Sequence, residues 1–125
     1  MAFDVSEELI AATEAEIGWW LPAELRSQLA ANNGGYVPDH AGREWQLHPV
    51  RDDTDRKRLG RTANDILRET KSAKKWTGFP DDAYAVGADG MGNLLVLLPG
   101  SQSLHAWDHK TGQISHVVLD WSQRN

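Results

Sequence analysis

Within Gly87-Ala88-Asp89-Gly90-Met91-Gly92, three glycines surround one carboxylate, a composition that could let backbone N–H groups close on a phosphate. The order argues against it. A dinucleotide fingerprint runs G-x-G-x-x-G into a helix and a P-loop needs Gly-Lys-Ser/Thr, whereas here the order is G-x-x-G-x-G and an apolar run, Leu94 to Leu98, follows. Asp-Gly between two apolar runs predicts a hairpin turn instead. Asp81, Asp82 and Asp89 could bind a cation or act as acid and base, but Pro-Asp-Asp and Asp-Gly are ordinary turn chemistry.

Five histidines raise the question of a metal. If Trp107 pairs with Ile114 across the turn Asp108–Gly112, His105 and His116 face one another, with Asp108 or His48 as a possible third donor. No H-x-x-x-H helix and no H-E-x-x-H motif is present, so no metal site is assigned. Serine, histidine and aspartate all occur without a G-x-S-x-G elbow. The absence of cysteine excludes disulfides, thiolate zinc sites, iron–sulfur clusters and a cysteine nucleophile. The expectation is a non-enzyme with no catalytic residue and no cofactor.

Six tryptophans, at positions 19, 20, 45, 76, 107 and 121, are the unusual feature of so short a chain. Large amphipathic rings serve both cores and interface hot spots. Adjacent Trp19 and Trp20 cannot both point inward from a linker, so one is expected to pack as a hinge and the other to be partly exposed. Acids concentrate beside them. Residues 1 to 50 carry eight acids and two bases, residues 51 to 76 five acids and nine bases, and residues 77 to 125 five acids and two bases. The candidate partner-binding residues are therefore Glu7, Glu8 and Glu14, expected on the outer face of a first helix, with Trp19, Trp20 and Trp45 as anchors. The net charge of -5 disfavours nucleic acid as a direct ligand, and the basic middle segment reads as a solvated helix face.

These residues need a scaffold. At 125 residues, with 40% apolar and 25% charged, the chain is expected to form one globular domain over 1–125. No apolar stretch suits a bilayer span and the acidic N-terminus does not look like a secretory signal, so a cytoplasmic location is expected. Asp4 and Glu7 suggest a capping box opening a helix that buries Leu9, Ile10, Thr13 and Ile17 and stops at Gly18. Pro22 opens a second helix with Leu21, Leu25 and Leu29 inside, and Asn32-Asn33-Gly34-Gly35 ends it, with Gly34 expected at positive φ. Glu44 to Val50 alternates as a short strand, with Trp45 and Leu47 on one side and Gln46 and His48 on the other. Residues 51–61 are too polar to assign. Thr62 and Asp65 look like the start of a helix to about Ser72, and Tyr84–Gly87, Leu94–Leu98, Leu104–Trp107 and Ile114–Leu119 read as a meander of strands. Leu94 to Leu98 is apolar on both faces and should be central.

In this order and spacing the chain resembles the SUKH superfamily, which contains the Smi/Knr-like cell-wall regulators of yeast and many bacterial immunity proteins. The resemblance is carried by Glu14 to Gly18, Leu21-Pro22 and Asn33-Gly34-Gly35, then by Val86-Gly87, Asp89-Gly90, Gly92 to Leu98, and Trp107-Asp108-His109 through Thr111-Gly112. Asn93-Leu94 departs from it, since the family often has an acidic residue followed by an aromatic there. The resemblance implies an α+β fold, a mostly antiparallel sheet with helices packed on one face. It also implies a non-enzymatic immunity protein that binds a cognate protein toxin, frequently a nuclease. The alternative it implies is a regulatory or scaffold module.

Overall fold

The computed structural model describes residues 3–123. Ser6, in extended conformation, accepts from Leu9 N at 3.3 Å and starts α1 (Glu7–Ile17). The cap is thus Ser6 rather than Asp4, whose carboxylate meets Arg58 instead. Glu7 and Glu8 fill the first turn, where the helix dipole favours negative charge. Pro22 precedes α2 (Ala23–Ala31), and Gly34 leaves that helix at φ 125, a conformation that side chains with a Cβ resist.

Six strands follow in a single antiparallel sheet whose spatial order is their sequence order: β1 (Tyr36–Pro38), β2 (Glu44–Leu47), β3 (Tyr84–Ala88), β4 (Leu94–Leu97), β5 (Leu104–Trp107) and β6 (Ile114–Val117). The Asp-Gly hairpin joins β3 to β4 as expected, with Asp89 Oδ1 accepting from Met91 N at 2.8 Å and Asn93 N at 3.2 Å. The sheet curls until its ends meet. Asp39 bridges Leu119, and Asp120 N donates to the Pro38 carbonyl at 2.8 Å.

Alternation decides what each face buries. Val86, Leu95, Leu97 and Leu104 point with Trp45 and Leu47 toward Ile10, Leu25 and Leu29 of α1 and α2. Ala85, Val96 and Trp107 point the other way, under Ala73, Phe79 and Ala83. Both faces of β4 are therefore buried, as its unbroken apolar run requires.

The polar stretch that resisted assignment contains α3 (Arg56–Arg61), capped by Asp55 accepting from Arg58 N at 2.7 Å. Its helix presents no buried residue, so it lacks the apolar period that reveals a helix in sequence. α4 (Ile66–Ala73) is capped by Asp65; Thr62 instead closes α3. Beyond β2, His48 N still donates to the Val86 carbonyl at 2.8 Å, and α4 packs on β3 next to it. The Thr70 hydroxyl accepts from Ala85 N at 2.8 Å, and His48 Nδ1 meets the Ala85 carbonyl at 2.9 Å. His48, read on the same side as Gln46, is buried where it meets β3 and α4, and burial holds its imidazole pKa below the ordinary value.

Candidate partner-binding site

The two N-terminal helices meet at a hinge whose geometry rests on one carboxylate. α1 ends at Gly18, at φ 78, with Gly18 N donating to Glu14 O at 2.8 Å. Glu14 Oε2 accepts from Leu21 N at 2.8 Å, and Glu14 Oε1 accepts from Arg26 Nε at 3.2 Å. Arg26 also pairs with Glu7. Glu14 thus ties the last turn of α1 to the first residues of α2. It was expected on the outer face with Glu7; it is buried, because Arg26 and the Leu21 amide both satisfy it inside the hinge. These bonds raise the Arg26 pKa, the Glu7 bond most.

A hinge fixed in this way displays Trp20. The Trp19 ring is half-buried against the core, and Trp20, 5.4 Å from it at 59° between planes, is 66% exposed. One indole packs and its neighbour faces solvent, as the adjacent pair required. Trp19 Nε1 is buried without a hydrogen-bond partner among the described residues, an uncompensated cost at this otherwise well-bonded joint. Glu8 and Glu16 are exposed along α1, and Glu24 is exposed on the first turn of α2.

Trp45 belongs elsewhere. It was expected as an exposed anchor, but its ring is 0% exposed. Its Nε1 donates to Asp39 Oδ2 at 3.1 Å, and the Arg43 guanidinium lies over the ring at 4.9 Å. The period-two pattern of β2 put Trp45 on the same side as Leu47, and the curl of the sheet turned that side inward. Of the six candidates, the hinge brings Glu14, Trp19 and Trp20 together; Glu7 reaches it only through Arg26, and Glu8 is displayed at the far end of α1.

A second concave region lies at the start of the described chain. A cleft of about 480 Å³ is lined by Phe3, Gly34, Tyr36, Arg58, Arg61 and Asn64, among others. Arg58 is committed to acids on three sides, Asp4 Oδ1 at 3.4 Å, Asp52 Oδ2 at 3.3 Å and Asp55 Oδ2 at 3.7 Å. Burial works to raise the Asp52 carboxyl, but hydrogen bonds from Thr54 and Arg58 outweigh it and hold its pKa below the usual carboxylate range. Arg58 and Arg61 also lie over the Phe3 ring, at 4.6 and 5.4 Å. Sequence reasoning missed this cluster, and its one local signal was the Asp55 cap before Arg56-Lys57-Arg58.

The β5–β6 hairpin has the expected register, with His105 opposite His116 and ring centroids 5.6 Å apart. Burial, and then the facing His116 imidazole, lower the His105 pKa. Among the described residues no group of three or more His, Cys, Asp or Glu is placed to hold a metal ion.

A family model of the SMI1 / KNR4 family (SUKH-1) matches residues 4–123, nearly the whole chain. The chain belongs to that family. The α+β architecture with its curled antiparallel sheet is consistent with a SUKH fold. Protein tipD of Dictyostelium discoideum is 30% identical over 61 residues, 49% of this chain and 10% of that protein. The SUKH-1 chain thus matches about a tenth of the length of that curated relative. No solved structure matches it significantly. Among the described residues no helix is long and apolar enough to cross a membrane.

Proposed function

We propose that residues 1–125 act as one SUKH-like domain, an immunity protein that binds and neutralises a cognate polymorphic toxin in the cytoplasm without catalysis. The observation that carries this reading is Trp20, an indole 66% exposed on a hinge held rigid by Glu14. A pre-organised aromatic ring is the usual desolvated anchor of a tight interface, since it loses little conformational freedom on binding. Glu8, Glu16 and Glu24 are exposed along the same two helices, which suits a nuclease whose groove is basic enough to hold nucleic acid. Carboxylates take the place of phosphates there. The domain itself contacts no nucleic acid or membrane and needs no cofactor.

The test is co-expression with the toxin gene beside this one. The immunity reading expects that the full chain rescues growth and binds the toxin tightly, and that Trp20→Ala weakens binding about tenfold or more, the ordinary loss for a hot-spot aromatic. A neighbouring gene whose product is harmless with or without this chain refutes it. The second reading is a regulatory or scaffold module, favoured by the partial match in which the similar stretch is a tenth of a much longer protein. It expects no rescue of poisoned cells and capture of host proteins through the same Trp20 surface.

A further inference from the structure

The facing histidines of the C-terminal hairpin take no part in that surface. At the mouth of the hairpin Asp108 N donates to the Gln113 carbonyl at 2.9 Å. Bonded and non-bonded pairs alternate from there, so His105 and His116, three pairs further on, form a non-hydrogen-bonded pair. Side chains stand closest in such pairs. A zinc–imidazole bond of about 2.0–2.1 Å puts each ring centre roughly 3 Å from the ion. Two rings on one ion at 90–110° then have centres about 4.5–5 Å apart, and the observed 5.6 Å closes to that by small side-chain rotations.

Two further observations point to a ligand. His105 Nδ1 is buried with no hydrogen-bond partner among the described residues, and an orphaned polar atom of that kind is satisfied by a water or an ion. His116 is exposed, which leaves room for water or a partner's side chain to complete a coordination shell.

We propose that His105 and His116 form a two-histidine site for a divalent transition-metal ion of the copper, nickel and zinc type. Neutral nitrogen donors without a carboxylate select these ions over magnesium and calcium, with copper bound most tightly. Water, or a side chain from a docked partner, completes the coordination. The ion would cross-link β5 to β6, the outermost strand of the sheet.

The full chain, with no partner present, is titrated calorimetrically with copper, nickel, zinc and magnesium chlorides, and its thermal melt is followed with each. The expected result is one copper ion per chain, weaker nickel and zinc, no magnesium, and a raised melting temperature with copper. His105→Ala and His116→Ala should each weaken copper binding about tenfold or more, the scale on which loss of a ligating or supporting group acts. His40→Ala and His109→Ala should leave it unchanged. His116 is exposed on an outer strand, so its substitution tests the site even if His105→Ala fails to fold. No copper binding by the unmodified chain, or binding undiminished in His116→Ala, overturns the proposal. Neither result touches the toxin-binding reading, which depends on the opposite helices.

Discussion

The acidic helix pair and the basic segment 51–76 use their charge alike but display their aromatics differently. At the hinge one cation, Arg26, serves two carboxylates, Glu7 and Glu14. In the basic segment one cation, Arg58, serves three, Asp4, Asp52 and Asp55. Segment sums therefore overstate the field either region presents. The aromatic rings separate them: Phe3 lies beneath Lys57, Arg58 and Arg61, Trp76 at the end of the basic segment is 55% exposed and edge-on to His109, and Trp20 is 66% exposed on a hinge tied by Glu14. The comparison teaches that exposure alone does not mark an anchor: Trp20 is set apart by the Glu14 bonds that fix the hinge carrying it.

The sharpest separation should come from paired tryptophans. Trp45→Ala should cost about 3–5 kcal/mol of stability, because it empties a core site and removes the indole hydrogen bond to Asp39 Oδ2. Trp20→Ala should change the denaturation midpoint little while weakening partner binding. Equal destabilisation of the two would mean that Trp20 is structural.

Next in size, Glu14→Ala should cost about 1–3 kcal/mol, since it leaves the buried Leu21 amide unpaired and removes one of the two partners of Arg26. Unlike a change on the basic side, it should also weaken partner binding by loosening Trp20. Retained affinity after Glu14→Ala would separate the hinge from the site. Gly34→Val belongs to the same range, about 1–3 kcal/mol, through backbone strain at φ 125 rather than lost contacts. A melt identical to wild type would contradict it.

Acid should weaken the fold in two windows. The His48 pKa is lowered in the folded state by burial, so the unfolded chain binds the proton more readily. Its contribution is complete above the unfolded histidine value near 6.5 and is lost as pH falls below it. Asp52 is also lowered, with the same sign in a second window that begins below the ordinary carboxylate value near 3.9. Denaturation midpoints measured from pH 8 to 3 should show the upper step, and His48→Gln should reduce it, leaving the part that the lowered His105 contributes.

The smallest expected effect is kinetic. Reversing exposed Glu8 and Glu16 to Lys should slow toxin association at low salt and matter less at 1 M, where the Debye length is about 3 Å. Reversing Arg68, Lys71 and Lys74 should leave it unchanged or faster. The opposite ranking in stopped-flow rates would move the docking face to the basic segment.

What could be read locally was read well. Gly18 and Gly34 at helix ends, the Asp-Gly hairpin, the central run Leu94 to Leu98 and the facing of His105 with His116 all depend on neighbours within a few residues or on strict two-residue alternation. The family resemblance rests on those same punctuation marks. The failures share a different cause. Asp4 and Thr62 looked like helix caps because capping types recur nearby, and the real caps, Ser6 and Asp65, were chosen by which residue the packed helix left at its end. Helix α3 had no apolar stripe to announce it.

The sequence by itself determined the order of the helices and strands it could read, α3 excepted, the antiparallel meander of the C-terminal strands and the presence of an aromatic pair at the helix hinge, since periodicity and turn chemistry are local properties. Only the tertiary structure decided which polar and aromatic groups remain for a partner. Glu14 went inward because Arg26, twelve residues on, came within reach. Arg58 was taken up by Asp4, fifty-four residues away. Trp45 disappeared beneath the curl of the sheet. In each case the group was taken up by a hydrogen bond or charge from a distant segment, and such a pairing exists only once the core has brought the two together.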